Sequence, residues 1–275
     1  MKTIIIPTDF SPAATCAMNY ALDMAKEIGA SVILFHIYNV PVGAGDVPVL
    51  VVSTDSLQKD AEAKVAALKE KVEHITSGEV KVDTEIRLGD VIEELEVLCK
   101  KIKPFAVVMG SRGTSGLERI VFGSTTLSAI RHLTSPVIAV PIGTEYGTGI
   151  RKIGFACDFR DIAETIPVAE IKNFVKTFGS EFHVLNVDDS KRHQKPEAGL
   201  TALLQTLLEE LSPEFHFIEH DDVEEGVNAF AETHNLNLVM AIPKKHKLLQ
   251  GLFKSSSTKQ LITHTHIPLM CIHEP

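Results

Sequence analysis

At 275 residues, with 44% hydrophobic and 23% charged side chains, the chain has room for one large or two ordinary globular domains with a real core. Its net charge of −9 is spread evenly, which argues against the basic face of a general nucleic-acid binder. No apolar run approaches the roughly 18 residues of a membrane span, and the opening MKTIIIPTDFSP is too short for a signal-peptide core, so the expected compartment is the cytoplasm.

TIIIP (3–7) reads as a short buried strand. Ser11-Pro12 then supplies a helix N-cap with proline at the first helical position, and Ala13, Ala17, Tyr20, Met24 and Ile28 follow at helical spacing until Gly29. SVILFHIY (31–38) is a second strand, and 39–55 a loop with two glycines and two prolines. A long amphipathic helix runs from about 56 to 77 and stops at Gly78. VKVDTEIRL (80–88) alternates as a strand, VIEELEVLCKKIK (91–103) is helical, and FAVVMG (105–110) is a buried strand. After the glycine-dotted MGSRGTSGLERIVFGST (109–125) come the helix STTLSAIRHL (124–133) and the strand PVIAVP (136–141). GTEYGTG (143–149) reads as a linker.

Strands alternating with helices in this way give an α/β fold, a parallel sheet with helices on both faces. The pattern then restarts. MKTIIIPTDF (1–10) matches IRKIGFACDF (150–159), with Asp9-Phe10 and Asp158-Phe159 in register. SVILFHIYNV matches EFHVLNVDD (181–189), FAVVMG matches LNLVMA (236–241), and SPVIAVP matches IPLMCIH (267–273). An internal duplication follows: two tandem open five-stranded sheets, in domains 1–142 and 150–275. The two copies are expected to pack through their final strands, Val137–Pro141 and Leu269–His273, as an intrachain pseudo-dimer; a homodimer of whole chains is left open.

Open parallel sheets bind ligands beyond the carboxyl ends of their strands, where the strand order reverses. Both the 2-1-3-4-5 and the 3-2-1-4-5 orders place the first strand at that reversal. In the second order its neighbour there is the fourth strand, so Pro7-Thr8-Asp9 faces the glycine stretch Gly110–Ser124 across one crevice. Gly110 and Gly113 permit close backbone approach and positive φ. Gly123-Ser124-Thr125 opens a helix, whose free N–H groups and positive dipole end favour phosphate. Asp9 is an acceptor suited to a ribose hydroxyl or a purine amino group. A glycine loop alone is more often a turn, Ser124 alone an N-cap, and Asp9 alone a cap of the first helix. Their convergence on one sheet edge favours a ligand.

The spacing Gly110-x-x-Gly113, nine residues, Gly123-Ser124, preceded by VVMG and followed by a helix and PVIAVP, resembles the ATP-binding signature of the universal stress protein family. IIIPTDFSP and the RLGD turn at 87–90 are also similar to that family, and 150–275 resembles a second, diverged copy. The resemblance implies the 3-2-1-4-5 order, a Rossmann-like fold of the adenine nucleotide alpha hydrolase kind, and a nucleotide across the first and fourth strands. Carried over by position, Asp9 and Ile37 contact adenine and ribose, Met109 and Gly110 flank base and ribose, and Gly113, Gly123, Ser124 and Thr125 hold phosphates. Pro7 and Thr8 belong to the Asp9 loop, and Arg112 adjoins Gly113. The ligand is then ATP, or AMP or ADP, with Mg as a possible companion ion.

The second copy keeps Asp158 but departs elsewhere. MAIPKKHKLLQGLFKSSST (240–258) places Ala241 where Gly110 lies, Lys244 where Gly113 lies, and Lys254 or Ser255 at Gly123. Pro243 also removes a donor N–H, so only the first copy is expected to bind nucleotide. Cys16, Cys99, Cys157 and Cys271 lack any C-x-x-C and read as reduced thiols. His264-Thr265-His266 lacks a metal motif, and the twelve histidines read as scattered surface residues rather than metal ligands. Asp90-Glu93-Glu94 and Asp221-Asp222-Glu224-Glu225 read as acidic first turns of helices.

The function these readings favour is an ATP-binding stress-response module, regulatory or protective. Hydrolysis is expected to be slow or absent, because no base or metal-holding acid stands beside the phosphates. A nucleotide-dependent ligase or adenylyltransferase would need H-x-G-H or S-G-G-x-D, and neither occurs. The remaining alternative is an interaction scaffold with both sites empty.

Overall fold

The computed structural model describes residues 1–40, 53–113, 120–121, 123–159, 165–188, 198–243 and 267–274. In the first half the elements are β1 (Thr3–Pro7), α1 (Pro12–Ile28), β2 (Ser31–Tyr38), α2 (Thr54–Ile75), β3 (Val82–Leu88), α3 (Val91–Ile102) and β4 (Ala106–Gly110). The short strands β5 (Arg112–Gly113) and β6 (Ile120–Val121) pair antiparallel, and α4 (Ser124–His132) and β7 (Val137–Val140) follow. The second half has β8 (Lys152–Ala156), α5 (Val168–Phe178), β9 (Glu181–Asp188) and α6 (Ala198–Leu208). It ends with β10 (Glu214–Glu219), α7 (Val223–Thr233), β11 (Leu238–Ala241) and β12 (Leu269–Cys271).

The local causes are visible in the sequence. Ile4, Ile5 and Ile6 are fully buried on both faces of β1, which is why that strand is a continuous apolar run. The Ser11 hydroxyl accepts from the Ala14 N–H at 3.2 Å and caps α1, with Pro12 in the first turn and Gly29 at the other end. Asp90 caps α3 by accepting from Ile92 and Glu93 N–H, and Asp222 caps α7 through Glu224 and Glu225 N–H. Asp90 and Asp222 are thus the caps, and Glu93, Glu94, Glu224 and Glu225 form the acidic first turns expected.

The main sheet runs β10-β9-β8-β11-β12-β7-β4-β1-β2-β3. Each half therefore has the 3-2-1-4-5 order, counting main-sheet strands. The two five-stranded halves join edge to edge through their final strands into one sheet of ten strands. At the seam β7 and β12 run antiparallel, with Ala139 opposite Leu269, Ile138 opposite Met270 and Val137 opposite Cys271. Those residues are fully apolar and buried, so either strand left as an open edge would expose unpaired backbone and a sticky surface.

The halves share backbone detail. Phe10 and Phe159 both adopt positive φ, 62° and 57°. Thr8 N–H donates to Phe35 O at 2.8 Å, and Cys157 N–H to Leu185 O at 2.9 Å. Strand register corrects one alignment. Ile4 pairs with Ala106 and Ile153 with Leu238, which makes Ile242, not Ala241, the counterpart of Gly110. The four cysteines are free thiols. Burial pushes the Cys99 thiol up to about 11 and Cys271 up to about 12, so both stay protonated and unreactive.

Within 143–149, expected to be a linker, Tyr146 is tied to α1. The Tyr146 hydroxyl donates to Glu27 Oε2, Tyr20 meets the Tyr146 ring edge-on at 5.0 Å, and Arg151 pairs with Glu27 at 2.7 Å. Phe105 stacks on Phe174 of α5 at 5.1 Å, adding a second bridge between the halves. No helix among the described residues is long and apolar enough to cross a membrane.

Candidate functional site

Parallel pairing of β1 with both β2 and β4 puts the reversal of strand order at β1, and the loops that leave β1 and β4 flank a cleft. Pro7, Thr8 and Asp9 come from β1 and its loop, Ile37 from β2, Met109 and Gly110 from the end of β4, and Gly123, Ser124 and Thr125 from the start of α4. All line this one cleft, of about 150 Å³. Arg112 and Gly113 form β5, paired with β6.

The β1 loop is tightly ordered. Asp9 Oδ1 accepts from Ser11 N–H at 3.0 Å, and Thr8 Oγ1 accepts from Phe10 N–H at 3.0 Å. His36 Nδ1 lies 2.8 Å from Thr8 O, and the imidazole packs against the Phe10 ring at 4.7 Å. These contacts hold Asp9 at the cleft while leaving it exposed.

Gly110 is needed for a reason other than the one its motif suggests. Its φ is not positive, and a Cβ there would lie 2.2 Å from the Ala13 carbonyl oxygen. Glycine at 110 lets the first turn of α1 lie directly against β4. Thr126 fixes the other side, its hydroxyl donating to Gly110 O at 2.9 Å.

Ser124 is not the N-cap. Gly123 holds that position with φ −60° and ψ 153°, and no side chain caps the helix. Among the described residues no side chain caps the first-turn N–H groups of α4, which lie beside the Ser124 and Thr125 hydroxyls. By contrast, α1 and α3 have their own caps. The cleft lining thus combines the donor-bearing start of α4 with the apolar Phe35, Ile37, Val91 and Met109.

The universal stress protein family profile matches residues 1–141. The chain belongs to the universal stress protein family. Universal stress protein MJ0531 of Methanocaldococcus jannaschii is 30% identical over 141 residues, covering 50% of this chain and 81% of that protein. Universal stress protein G of Escherichia coli O157:H7 is 29% identical over 147 residues, or 50% of this chain and 98% of that one. The solved universal stress protein from Archaeoglobus fulgidus DSM 4304 superposes with a TM-score of 0.75 at 19% identity, covering 99% of this chain and 98% of that one. That likeness extends the family fold over the second half, which the profile does not reach.

Sequence reasoning missed Ser11, Ala13, Ala14, Phe35, Val91 and Thr126 as cleft residues. Ala13 and Ala14 carry a signal of a kind: small residues in a first turn that must pass close to another backbone. Thr126 carried none, because its hydroxyl acts across 16 residues on Gly110. His264 and His266, and the loop from 244 that replaces the glycine stretch, lie outside the described residues.

Proposed function

We propose that the protein is an ATP-binding universal stress protein that holds one adenine nucleotide in the cleft between β1 and β4 and acts as a cytoplasmic regulatory or protective module. The observation that carries this reading is the uncapped N-terminus of α4, which faces the Asp9 loop across a cleft with an apolar wall. Uncapped first-turn amides and the helix dipole favour phosphate oxygens, and Ser124 and Thr125 add hydroxyl donors. Phe35, Ile37 and Met109 suit a flat base, and Asp9 a ribose hydroxyl. The cavity of about 150 Å³ is smaller than whole-ligand pockets of roughly 300–1,000 Å³, so the phosphates would lie over the rim toward α4.

Residues 1–142 and 150–275 are read as duplicated domains that form an intrachain pseudo-dimer across the β7–β12 seam, with nucleotide only in the first. Supporting this asymmetry, Ile242 stands where Gly110 lies and Pro243 offers no N–H. The bound nucleotide would act as a signal rather than a substrate, with Mg as an optional companion to its phosphates.

The deciding measurement is calorimetric titration of the full chain with ATP, ADP, AMP and cAMP. A solved family member is a complex with cAMP, so that ligand joins the panel. One site per chain, with ATP turnover near background, is the expected result. No heat with any nucleotide would leave the scaffold reading, and rapid turnover dependent on a second substrate would favour a ligase-like enzyme.

A further inference from the structure

The tripeptide Glu-Phe-His occurs twice, at 181–183 and 214–216, on the neighbouring parallel strands β9 and β10. In the observed register His183 lies opposite Glu214, and Leu185 opposite His216. Side chains alternate across a strand with period two, so Glu181, His183, Glu214 and His216 share one face of the sheet. Phe230 from α7 covers that face, 4.6 Å from the His216 ring and stacked on His234 at 3.8 Å.

Three candidate ligand atoms converge there. His183 Nδ1 is 3.1 Å from His216 Nε2 and 3.5 Å from Glu214 Oε2, and His216 Nε2 is 3.8 Å from the same oxygen. A tetrahedral cation with bonds of about 2.0–2.2 Å separates its ligand atoms by roughly 3.3–3.6 Å. The triangle brackets that spacing, and its widest edges involve Glu214, an exposed side chain that is free to adjust.

We propose that His183, Glu214 and His216 form a zinc site at the outer edge of the second half, with a fourth position open to water. Two imidazoles and one carboxylate are a zinc donor set with an open position. A second observation concerns the far side of His183, whose ring is buried. Its Nε2 has no hydrogen-bond partner, and Glu181 Oε2 lies 3.9 Å away, itself paired with Lys152 Nζ at 3.2 Å. A metal on Nδ1 leaves the proton on Nε2, directed to Glu181; a carboxylate behind a ligating histidine orients the ring and raises its basicity.

The test uses the full chain stripped with a chelator and titrated with zinc chloride, alongside ¹⁵N spectra of the imidazoles. One tight zinc per chain is expected, with shifts at His183 and His216. His216→Ala and Glu214→Gln should weaken binding at least about tenfold, and Glu181→Gln by about 10- to 100-fold. His74→Ala, remote on α2, should bind as wild type. Glu214 is a surface residue, so its variant separates lost ligation from lost folding, and a melting curve checks each protein. Equal affinity in wild type, His216→Ala and Glu214→Gln would overturn the site. So would an imidazole pair that keeps its mutual hydrogen bond, unshifted, at saturating zinc.

Discussion

Gly110 lies so close to Ala13 that a Cβ at 110 would be 2.2 Å from the Ala13 carbonyl oxygen. This contact joins α1 to β4 and sets the width of the cleft between their loops. Gly110→Ala must push the two apart. Overpacking of this kind costs about 1–3 kcal/mol, so urea denaturation should show a loss in that range. Nucleotide affinity should fall with it, because Thr8–Ser11 and Met109 sit on the two sides of the contact. A variant as stable as wild type would show that α1 moves aside freely.

Ser124→Asp separates folding from binding. Residue 124 is the first of α4, where a negative charge interacts with the helix dipole to stabilise by about 0.3–1 kcal/mol. The same charge repels a phosphate at that helix end. Thermal melting should therefore be unchanged or slightly raised, while ATP affinity in calorimetry falls more than about tenfold. Undiminished affinity would place the phosphates elsewhere.

The sequence made the sheet legible because its signals are local. Ile4–Ile6 reads as a central strand, and Ser11-Pro12 with Gly29 brackets α1. Repetition of the Asp-Phe pair pointed to two halves of like strand order, and that order gathers Asp9, Ile37, Met109 and Ser124 into one cleft. What was hidden depends on register. Whether Ala241 or Ile242 answers to Gly110 is decided by pairing with β8, and periodicity alone cannot fix a shift of one residue. The histidine cluster was hidden for the same reason: His183 and His216 are 33 residues apart and meet only because β9 and β10 are adjacent. The repeated Glu-Phe-His was the one signal available.

The β7–β12 seam predicts that the two halves unfold as one cooperative unit. Met270 is 1% exposed and stands opposite Ile138, which is fully buried. Removing its side chain should cost about 2–5 kcal/mol. Calorimetric scanning of Met270→Ala should show a single transition moved to lower temperature. Two separate transitions, with only one displaced, would show that the halves unfold independently despite the shared sheet.

Acid should weaken the metal-free protein through the same histidine pair. His183 and His216 both titrate below the ordinary value of 6.5 in the folded state, chiefly because burial disfavours the charged ring. The groups that face them act in both directions. Glu214 favours protonation of both rings, and Glu181 that of His183, while His234 opposes it at both and Lys152 at His183. As pH falls through 6.5 the unfolded chain takes up protons first, so unfolding becomes easier. Stability is then full above about pH 6.5 and declines on acidification until the folded-state histidines also protonate. His216→Gln removes one of the two groups, so its stability should depend less steeply on pH between 6.5 and 5. Urea titrations of wild type and variant across that range measure the slopes directly. Parallel slopes would mean that the acid response arises outside the β9–β10 edge.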